Sequence, residues 1–408
     1  MQSRKSLLLL ILVSVLAGAF GMLFPLLGST FSPYYGSIAK HIAISNNWTD
    51  LIFSGHDWLD KPHFPFWITA LSFKIFGINS FAYILPGFIF NLIGGLYTYK
   101  LSRVWYDEDV SLLATLFYLT TLHLMLSALD IRAEAYLLGE LMPACYYFLL
   151  YDRQKSIRYL FLGAFFTGLA LMTKGLFIFV TIGSGLVGLW IYQKRMLNCL
   201  SYRWWLCILL SIVFALPELV ALYVQFDLHP DKIVFGLQHV SGIRWFFWDS
   251  QFGRFFNTGP IASTNPPPFH WLFFVHTFLW AFLPWWPMFF GGVWAVVKGL
   301  RKSFKLQDAS IYLLSSFFIT FILFSATSFQ VDHYTNIIFP FACIISAEWL
   351  IKQIKQNRSI RVITAIEIIF GCLFLAIASV VNYLLFSGLV FVVIGIILVS
   401  IIVWLMIK

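Results

Sequence analysis

Long runs of apolar residues alternate with short polar connections along almost the whole chain. Each run is roughly 20 residues long, the length at which an α-helix crosses the hydrocarbon core of a bilayer. The runs are at residues 6–28, 80–101, 109–127, 133–151, 158–173, 175–193, 203–225, 271–298, 309–327, 334–352, 361–382 and 384–406. The pattern therefore predicts an all-α polytopic membrane protein with about twelve transmembrane helices.

The composition excludes several other classes of protein. Of the 408 residues, 60% are hydrophobic and 11% are charged, whereas soluble domains average ~45–50% apolar and ~25% charged residues. An ordinary soluble enzyme, a disordered chain and a collagen-like fibre are thus excluded. The five cysteines show no CxxC spacing, and we interpret them as buried thiols instead of a disulfide or zinc framework.

The net charge of +9 becomes informative once it is distributed over the predicted loops. With the N-terminus in the cytoplasm, nineteen of the 27 lysine and arginine residues lie on the cytoplasmic side, as the positive-inside rule requires. We therefore predict a multi-pass protein of the cytoplasmic (inner) membrane, surrounded by membrane lipids and with no nucleic-acid partner. The first run resembles a signal peptide but is too long for one, so we expect an uncleaved anchor.

Two connections are long, 29–79 and 226–270, and both are predicted to face outward. Within the first, segments 35–46 and 64–76 are typical of helices that lie along a membrane surface. We expect one transmembrane module over residues 1–350 that includes both loops. A C-terminal pair of transmembrane helices would follow over 351–408, with no separate soluble domain.

Polar side chains converge on the predicted outer face. All nine histidines lie in outward loops or at the outer ends of runs, together with many of the acids. They could form an interfacial belt, but ionisable groups beside a bilayer are costly and often functional. The convergence therefore favours a polar site on the outer (periplasmic) face. By contrast, we expect Glu140 and Glu218 to be internal hydrogen-bond partners.

Three polar clusters are candidates for the chemistry. Segment His56–His63 contains two carboxylates, two imidazoles and a lysine, which could bind a divalent cation and a phosphate together; a hydrophilic loop tip has the same composition. Asp130 and Glu134 would share a face of a helix, unless Asp130 is only an N-terminal cap. In Trp245–Arg254, an arginine follows an aromatic wedge that could lie against lipid or a polyprenyl chain.

These clusters resemble, in order, the motifs of a known family. The family is that of the polyprenyl-phosphate-sugar-dependent glycosyltransferases of the GT-C superfamily, especially the lipid A aminoarabinose transferase and protein O-mannosyltransferase branch (glycosyltransferase family 39 type). The most specific piece is the acid–lysine–proline motif, Leu59–Pro62. The other matching segments are Tyr35–Ile42, Phe66–Ala70, Phe76-Gly77, Ala128–Leu137, Thr173–Gly175, Phe246–Arg254, Pro284-Trp285, Asp332–Tyr334 and Pro340. Each is weak alone, but their common order and common face indicate the family over roughly residues 6–350.

The resemblance implies an activity and a set of site residues. It implies an integral membrane enzyme that moves a hexosyl or pentosyl group from an undecaprenyl phosphate carrier to a lipid A, lipopolysaccharide, glycan or protein acceptor. The side chains expected to hold the donor phosphate are Lys61, Arg254, Tyr334 and Lys174. Asp60, and with it His63, would be the metal ligands if a divalent cation binds; no organic cofactor is expected. Lys174 could instead anchor a short turn, and Tyr334 could be an interfacial aromatic.

The chain departs from the family pattern in two places. The family usually carries an acid just after its first span, but residues 28–33 contain none, and Gln251 occupies the position of a histidine. A hydroxyl acceptor needs a general base, whereas an ionised phosphate does not. The missing acid leaves three hypotheses open: a phosphate-like acceptor, a weakened enzyme, or a base role passed to another acid. The candidate catalytic acids are Asp57, Asp130 and Glu134.

Two other functions are weighed against the transferase. A flippase or transporter of a lipid-linked sugar usually places its key polar groups at mid-membrane in broken helices. Here the polar groups gather on one face, which favours the enzyme. A catalytically degenerate member of the family is the third hypothesis, and it rests on the missing acid alone.

Overall fold

The computed structural model describes residues 2–23, 32–256, 258, 260, 272–303, 306–327, 329–356 and 365 of this chain. Apart from residue 365, two of the predicted transmembrane runs, 361–382 and 384–406, lie outside the described residues. The predicted boundary between the two modules, at residue 350, falls inside a helix that ends at Lys355.

The described chain is almost entirely helical. The α-helices are, in order, α1 (Gln2–Gly21), α2 (Ser32–Ser45), α3 (Phe64–Phe76), α4 (Ser80–Ser102), α5 (Glu108–Thr120), α6 (Leu122–Leu129), α7 (Ala133–Gln154), α8 (Ile157–Lys174), α9 (Ile178–Tyr192), α10 (Tyr202–Phe214), α11 (Leu216–Leu222), α12 (Gly242–Arg244), α13 (Arg254–Phe256), α14 (Phe273–Ala281), α15 (Trp286–Ser303), α16 (Asp308–Ser325) and α17 (Phe339–Lys355). The other helical segments are the 3₁₀-helices Met196–Leu200 and Asp332–Ile338 and the π-helices Tyr223–Asp227 and Trp245–Gly253. Strands β1 (Ile52–Phe53) and β2 (His56–Asp57) pair antiparallel.

Many of these helices are long and apolar enough to cross a membrane. Within the described residues, five helical segments are each long enough to be a membrane span. Three bent helix pairs bring the number of candidate spans to eight if each pair is counted as one span. The remaining predicted runs in this part of the chain form α7 and the shorter α9. The prediction of an all-α polytopic membrane protein is confirmed.

Three of the predicted runs are bent instead of straight. The run 109–127 is divided into α5 and α6 by a bend of 59°, because Thr121 is extended and the amide of Leu122 donates to the carbonyl oxygen of Leu283. That carbonyl precedes Pro284, near which α14 and α15 diverge by 115°. The run 203–225 bends by 48° just before Pro217, which has no amide N–H for the helical ladder.

Helix α7 lies at the centre of the fold, between α4 and α8. Most of its side chains are buried on every face, which is typical of a helix surrounded by others. At Gly139 a Cβ atom would lie 2.4 Å from the carbonyl oxygen of Phe90, so only glycine permits this close approach to α4. This packing fixes the N-terminal end of α7, where Glu134 lies.

The first outward loop contains both helices that the sequence predicts there. Ile38 and Ile42 of α2 are fully buried, and α2 packs against α3. Lys40 on the other side of α2 is exposed. The hydroxyl groups of Thr69 in α3 and Tyr136 in α7 lie 2.7 Å apart, which links the loop to the central helix.

Candidate functional site

The acid–lysine–proline motif lies between β2 and α3, with Lys61 Nζ 3.5 Å from Asp60 Oδ2. Its residues line a small cavity, which we call the polar cavity, with side chains that are distant in sequence. The polar and charged members of its lining are Asp60, Lys61, Lys174, Glu218, Ser250 and Gln251. At about 20 Å³ the polar cavity has room for about one water molecule.

Lys174 is the last residue of α8 and is followed by Gly175, whose φ of 97° favours glycine. Its ammonium group forms an ion pair with Glu134 of α7, and the two side chains are only 6% and 2% exposed. The same nitrogen lies 4.0 Å from the centre of the Tyr334 ring. A carboxylate and a ring face together compensate the burial of this lysine.

A second cavity, the apolar pocket, has a volume of about 380 Å³ and is lined mainly by phenylalanine and aliphatic side chains. Lys174 and Tyr334 are among its polar lining residues. Lys174, Ser250 and Gln251 line both cavities, so the two meet at these residues. The arrangement suits an amphipathic ligand with a long apolar chain and an anionic group, because the chain can enter the pocket while the anion meets the lysines.

A polar network joins the N-terminal end of α7 to Asp332–Ile338. Arg132 donates to Asp130 Oδ2 at 2.9 and 3.2 Å. Its Nη1 donates to His333 Nδ1 at 2.6 Å and lies 3.6 Å from Asp332 Oδ1. His333 Nε2 lies 3.6 Å from Glu134 Oε2, so the network reaches the Lys174 ion pair.

This geometry corrects two interpretations of Asp130. The N-terminal cap of α7 is Arg132, and no side chain caps it, so the interpretation of Asp130 as an N-terminal cap is wrong. Asp130 precedes the helix, which begins at Ala133, so it does not share a helical face with Glu134. The two acids are connected instead through Arg132 and His333.

Asp57, the third candidate catalytic acid, belongs to the contact between the two outward loops. Its Oδ1 accepts from Gln225 Nε2 at 2.9 Å and lies 3.1 Å from Lys232 Nζ. Lys232 also lies 3.4 Å from Asp50 Oδ2. The structure therefore gives Asp57 a role in holding the loops together, whereas Glu134 adjoins a residue that lines both cavities.

His63 is not available as a ligand of the predicted metal site. His63 Nδ1 lies 3.1 Å from Glu218 Oε1 and its Nε2 lies 2.9 Å from the carbonyl oxygen of Thr49, so both ring nitrogens are occupied. Among the described residues, no group of three or more histidine, cysteine, aspartate or glutamate side chains could hold a metal ion. Ligation of a metal by Asp60 stays a prediction.

Other predicted residues have mixed outcomes. Arg254 begins α13, but its side chain lies outside the described part of the chain, so its role stays a prediction.

Glu140 accepts a hydrogen bond from Thr173 at 2.8 Å, and Glu218 accepts one from the amide of His63. The prediction that both glutamates are internal hydrogen-bond partners is therefore confirmed.

Sequence reasoning missed the bridging residues of the site. Arg132 and His333 lie within motifs that match the family. Their place in those motifs could have identified them as site residues. Gln225 and Lys232 carry no such signal, since their partners are more than 160 residues away in the chain.

The sequence of this chain is similar to those of known proteins. Residues 60–220 match the family model described as dolichyl-phosphate-mannose-protein mannosyltransferase. The chain is 26% identical over 339 residues to the undecaprenyl phosphate-alpha-4-amino-4-deoxy-L-arabinose arabinosyl transferase 2 of Proteus mirabilis, which covers 81% of this chain and 57% of the relative. It is 25% identical over 362 residues to the corresponding transferase of Shewanella sediminis, with coverages of 86% and 60%.

Solved structures show the same fold at low sequence identity. ArnT from Cupriavidus metallidurans bound to undecaprenyl phosphate superposes with a TM-score of 0.72 at 17% identity, over 93% of this chain and 65% of that one. The archaeal oligosaccharyltransferase AglB from Archaeoglobus fulgidus gives 0.52 at 12% identity, over 98% and 54%.

The chain therefore has the polytopic membrane fold of ArnT, and its sequence is similar to those of the arabinosyl transferases. These similarities agree with the resemblance that the motifs indicate. The chain spans about three fifths of the length of the curated relatives that it matches, at 57% and 61% for two of them.

Proposed function

We propose that this protein is a glycosyltransferase that moves a sugar from an undecaprenyl phosphate-type carrier to a lipid A, lipopolysaccharide, glycan or protein acceptor. The reaction would take place at the outer face of the cytoplasmic membrane. The observation that carries the proposal is the junction of the polar cavity and the apolar pocket. There Lys174 contacts the ring of Tyr334, and both side chains line the pocket of about 380 Å³. The names of the similar arabinosyl transferases support the same class of donor.

The donor phosphate would lie at the junction, because the polar cavity alone has room for about one water molecule. Lys174 faces both cavities and Lys61 lines the polar one. The acceptor atom attacks the anomeric carbon while the bond from that carbon to the phosphate oxygen breaks. The electron pair of this bond leaves with the polyprenyl phosphate, and cations fixed near its oxygens stabilise the developing charge.

A hydroxyl acceptor must also lose a proton, which requires a base. Among the three candidate acids we favour Glu134, because its partner Lys174 lines both cavities, whereas Arg132, Gln225 and Lys232, which hold Asp130 and Asp57, line neither. Glu134 is paired with Lys174. A donor phosphate that attracts Lys174 would weaken this pair and leave the carboxylate of Glu134 more basic. With an ionised phosphate acceptor, no such proton transfer is needed.

The test is transfer of a labelled sugar from a polyprenyl phosphate donor in vesicles that contain the purified protein. We expect Lys61→Ala to lower the rate at least ~100-fold, as losses of charge-stabilising groups do. Lys40→Ala is the matched control, because Lys40 is an exposed lysine of the same outward loop. Full activity of Lys61→Ala would contradict the site assignment.

The same vesicles distinguish the alternative functions. A flippase or transporter would move the sugar-lipid across the bilayer without forming a new glycosidic bond, in which case the transferase proposal is wrong. A degenerate member of the family would bind the carrier lipid and do neither. Mass spectrometry of lipid A and surface glycans, with and without the protein, would identify the acceptor.

A further inference from the structure

Two buried side chains of one helical segment hold the segment Leu51–His63 at both of its ends. Glu218 lies in α11, and Gln225 lies in the π-helix that continues α11; both side chains are fully buried. They are seven residues apart, which corresponds to about two turns or roughly 10 Å along a helix. Asp60 and Lys61 lie between the two points of attachment in the chain.

Gln225 holds the first of these points with its whole carboxamide group. Its Oε1 accepts from the amide of Leu51 at 3.1 Å, and its Nε2 donates to the carbonyl oxygen of Leu51 at 3.1 Å. The same nitrogen donates to Asp57 Oδ1 at 2.9 Å. This two-way exchange with one backbone residue is the bonding that a neighbouring strand would supply.

Glu218 holds the second point, immediately after the acid–lysine–proline motif. The amide of His63 donates to Glu218 Oε2 at 2.8 Å, and the imidazole Nδ1 lies 3.1 Å from Oε1. The imidazole of His63 in turn contacts the carbonyl oxygen of Thr49 at 2.9 Å. Glu218 also lines the polar cavity beside Lys61.

The segment needs such external support. Strands β1 and β2 have two residues each, and the turn residues between them, Ser54 and Gly55, are exposed. A hairpin of this size is at best marginally stable by itself in water. External contacts, which include packing of β1 on α2 and these two side-chain anchors, therefore fix its position relative to the membrane helices.

We propose that Glu218 and Gln225 are positioning residues, which hold the backbone around Lys61 so that its ammonium group stays at the donor phosphate. The inference rests on the proposed role of Lys61 in phosphate binding. The same helical segment is also tied to the second outward loop, since the amide of Ile243 donates to Asp227 Oδ2 at 3.2 Å. One short helix thus fixes the acid–lysine–proline motif relative to the loop that supplies Gln251.

The test measures binding of undecaprenyl phosphate to the purified full-length protein in nanodiscs, separately from sugar transfer. We expect Gln225→Ala and Glu218→Ala each to weaken binding about tenfold, because a small misplacement of a binding group is costly. The matched control is Gln238→Ala, because Gln238 is an exposed amide of the second outward loop. We expect it to bind as the wild type does.

Two further variants separate positioning from general loss of structure. Glu218→Gln should retain binding, because a carboxamide can accept from the His63 amide and donate to an unprotonated Nδ1. In a Lys61→Ala background, Gln225→Ala should cause no further loss, since the residue acts through Lys61.

The outcomes decide the proposal in either direction. Wild-type affinity in both Gln225→Ala and Glu218→Ala would overturn it, as would a loss in Gln225→Ala that adds fully to the loss in Lys61→Ala. Wild-type affinity in Lys61→Ala would also overturn it by removing its premise. If the wild type binds the lipid but transfers no sugar, the proposed function fails, and the binding series still decides the role of the two anchors.

Discussion

Lys174 and Glu134 form a buried ion pair between α8 and α7, at the place where the polar cavity and the apolar pocket meet. The pair links the chemistry of the site to the stability of the membrane helices. A buried ion pair is costly to break by removing one partner, because the other charge is left without compensation.

We expect Lys174→Met to lower the free energy of unfolding by about 3–5 kcal/mol, since Glu134 would stay buried without its lysine partner. Chemical unfolding in detergent, followed by the helical circular dichroism signal, measures this change. The double variant Lys174→Met, Glu134→Gln should recover most of the stability while transfer remains lost. A single variant as stable as the wild type would contradict the importance of the pair.

The candidate catalytic acids should differ in their effect on the rate. We expect Glu134→Gln to lower kcat at least ~100-fold with a hydroxyl acceptor, the size of effect that loss of a general base has. Asp57→Asn should lower it less than about tenfold, because its oxygen can still accept from Gln225 and only the charge opposite Lys232 is lost. Initial rates at saturating donor give the comparison. The reverse order would move the base role to Asp57.

Gly175→Ala should disturb both stability and lipid binding. The backbone at Gly175 has a φ of 97° and a ψ of −165°, a conformation that is essentially restricted to glycine and costs another residue about 1–3 kcal/mol. An added Cβ would lie 2.2 Å from Nε2 of Gln251, which lines both cavities. Gly183→Ala in α9 is the control, because no atom beyond the adjacent residues and the backbone of α9 itself lies within 4 Å of the added carbon. Thermal unfolding and lipid affinity should fall in the first variant alone.

The connection between α4 and α5, on the predicted cytoplasmic side, gives an expectation for the effect of pH. A hydrogen bond from Lys355 and one from the amide of Val110 lower the pKa of Asp107. A lowered pKa in the folded state means that the contact stabilises the protein above the unfolded value of about 3.9 and stops doing so as the pH falls through the folded value.

The size of this effect should be small, because the Asp107–Lys355 pair is largely exposed. At pH 7 we expect Lys355→Ala to be only slightly less stable than the wild type, because water and salt screen an exposed pair. The difference should begin to shrink as the pH falls below about 3.9 and disappear below the lower pKa that Asp107 has in the folded protein. Unfolding curves of the two proteins between pH 7 and pH 3 test this, and a difference that does not shrink below pH 3.9 would assign it to packing of the lysine side chain.

The positions of most helices along the chain could be predicted because hydropathy reports directly on the bilayer. A run such as 80–101 must be a helix, since the hydrocarbon core leaves backbone groups no other partners. The bends were not predictable in the same way. The break at Thr121 depends on a hydrogen bond from Leu122 to Leu283, which is a contact between residues far apart in the chain.

The candidate site was predictable where family motifs mark it and unpredictable where it depends on packing. Lys61, Lys174 and Tyr334 come from three separate motifs, and Lys174 joins the cavities that the other two line. The assumption that Asp130 and Glu134 share a helix was wrong because α7 begins after Asp130. His63 fits a metal ligand by composition, but its two ring nitrogens are occupied by Glu218 and Thr49.

The sequence by itself determined the membrane character, the helical class and the acid–lysine–proline motif. These follow from local properties, namely the length of apolar runs and the order of short motifs. Only the tertiary structure decided which charges are paired, because each charge must find its partner across the packed helices. The pairing of Lys174 with Glu134 and the anchoring of Leu51 by Gln225 are such cases: each depends on the relative placement of helices that no local pattern encodes.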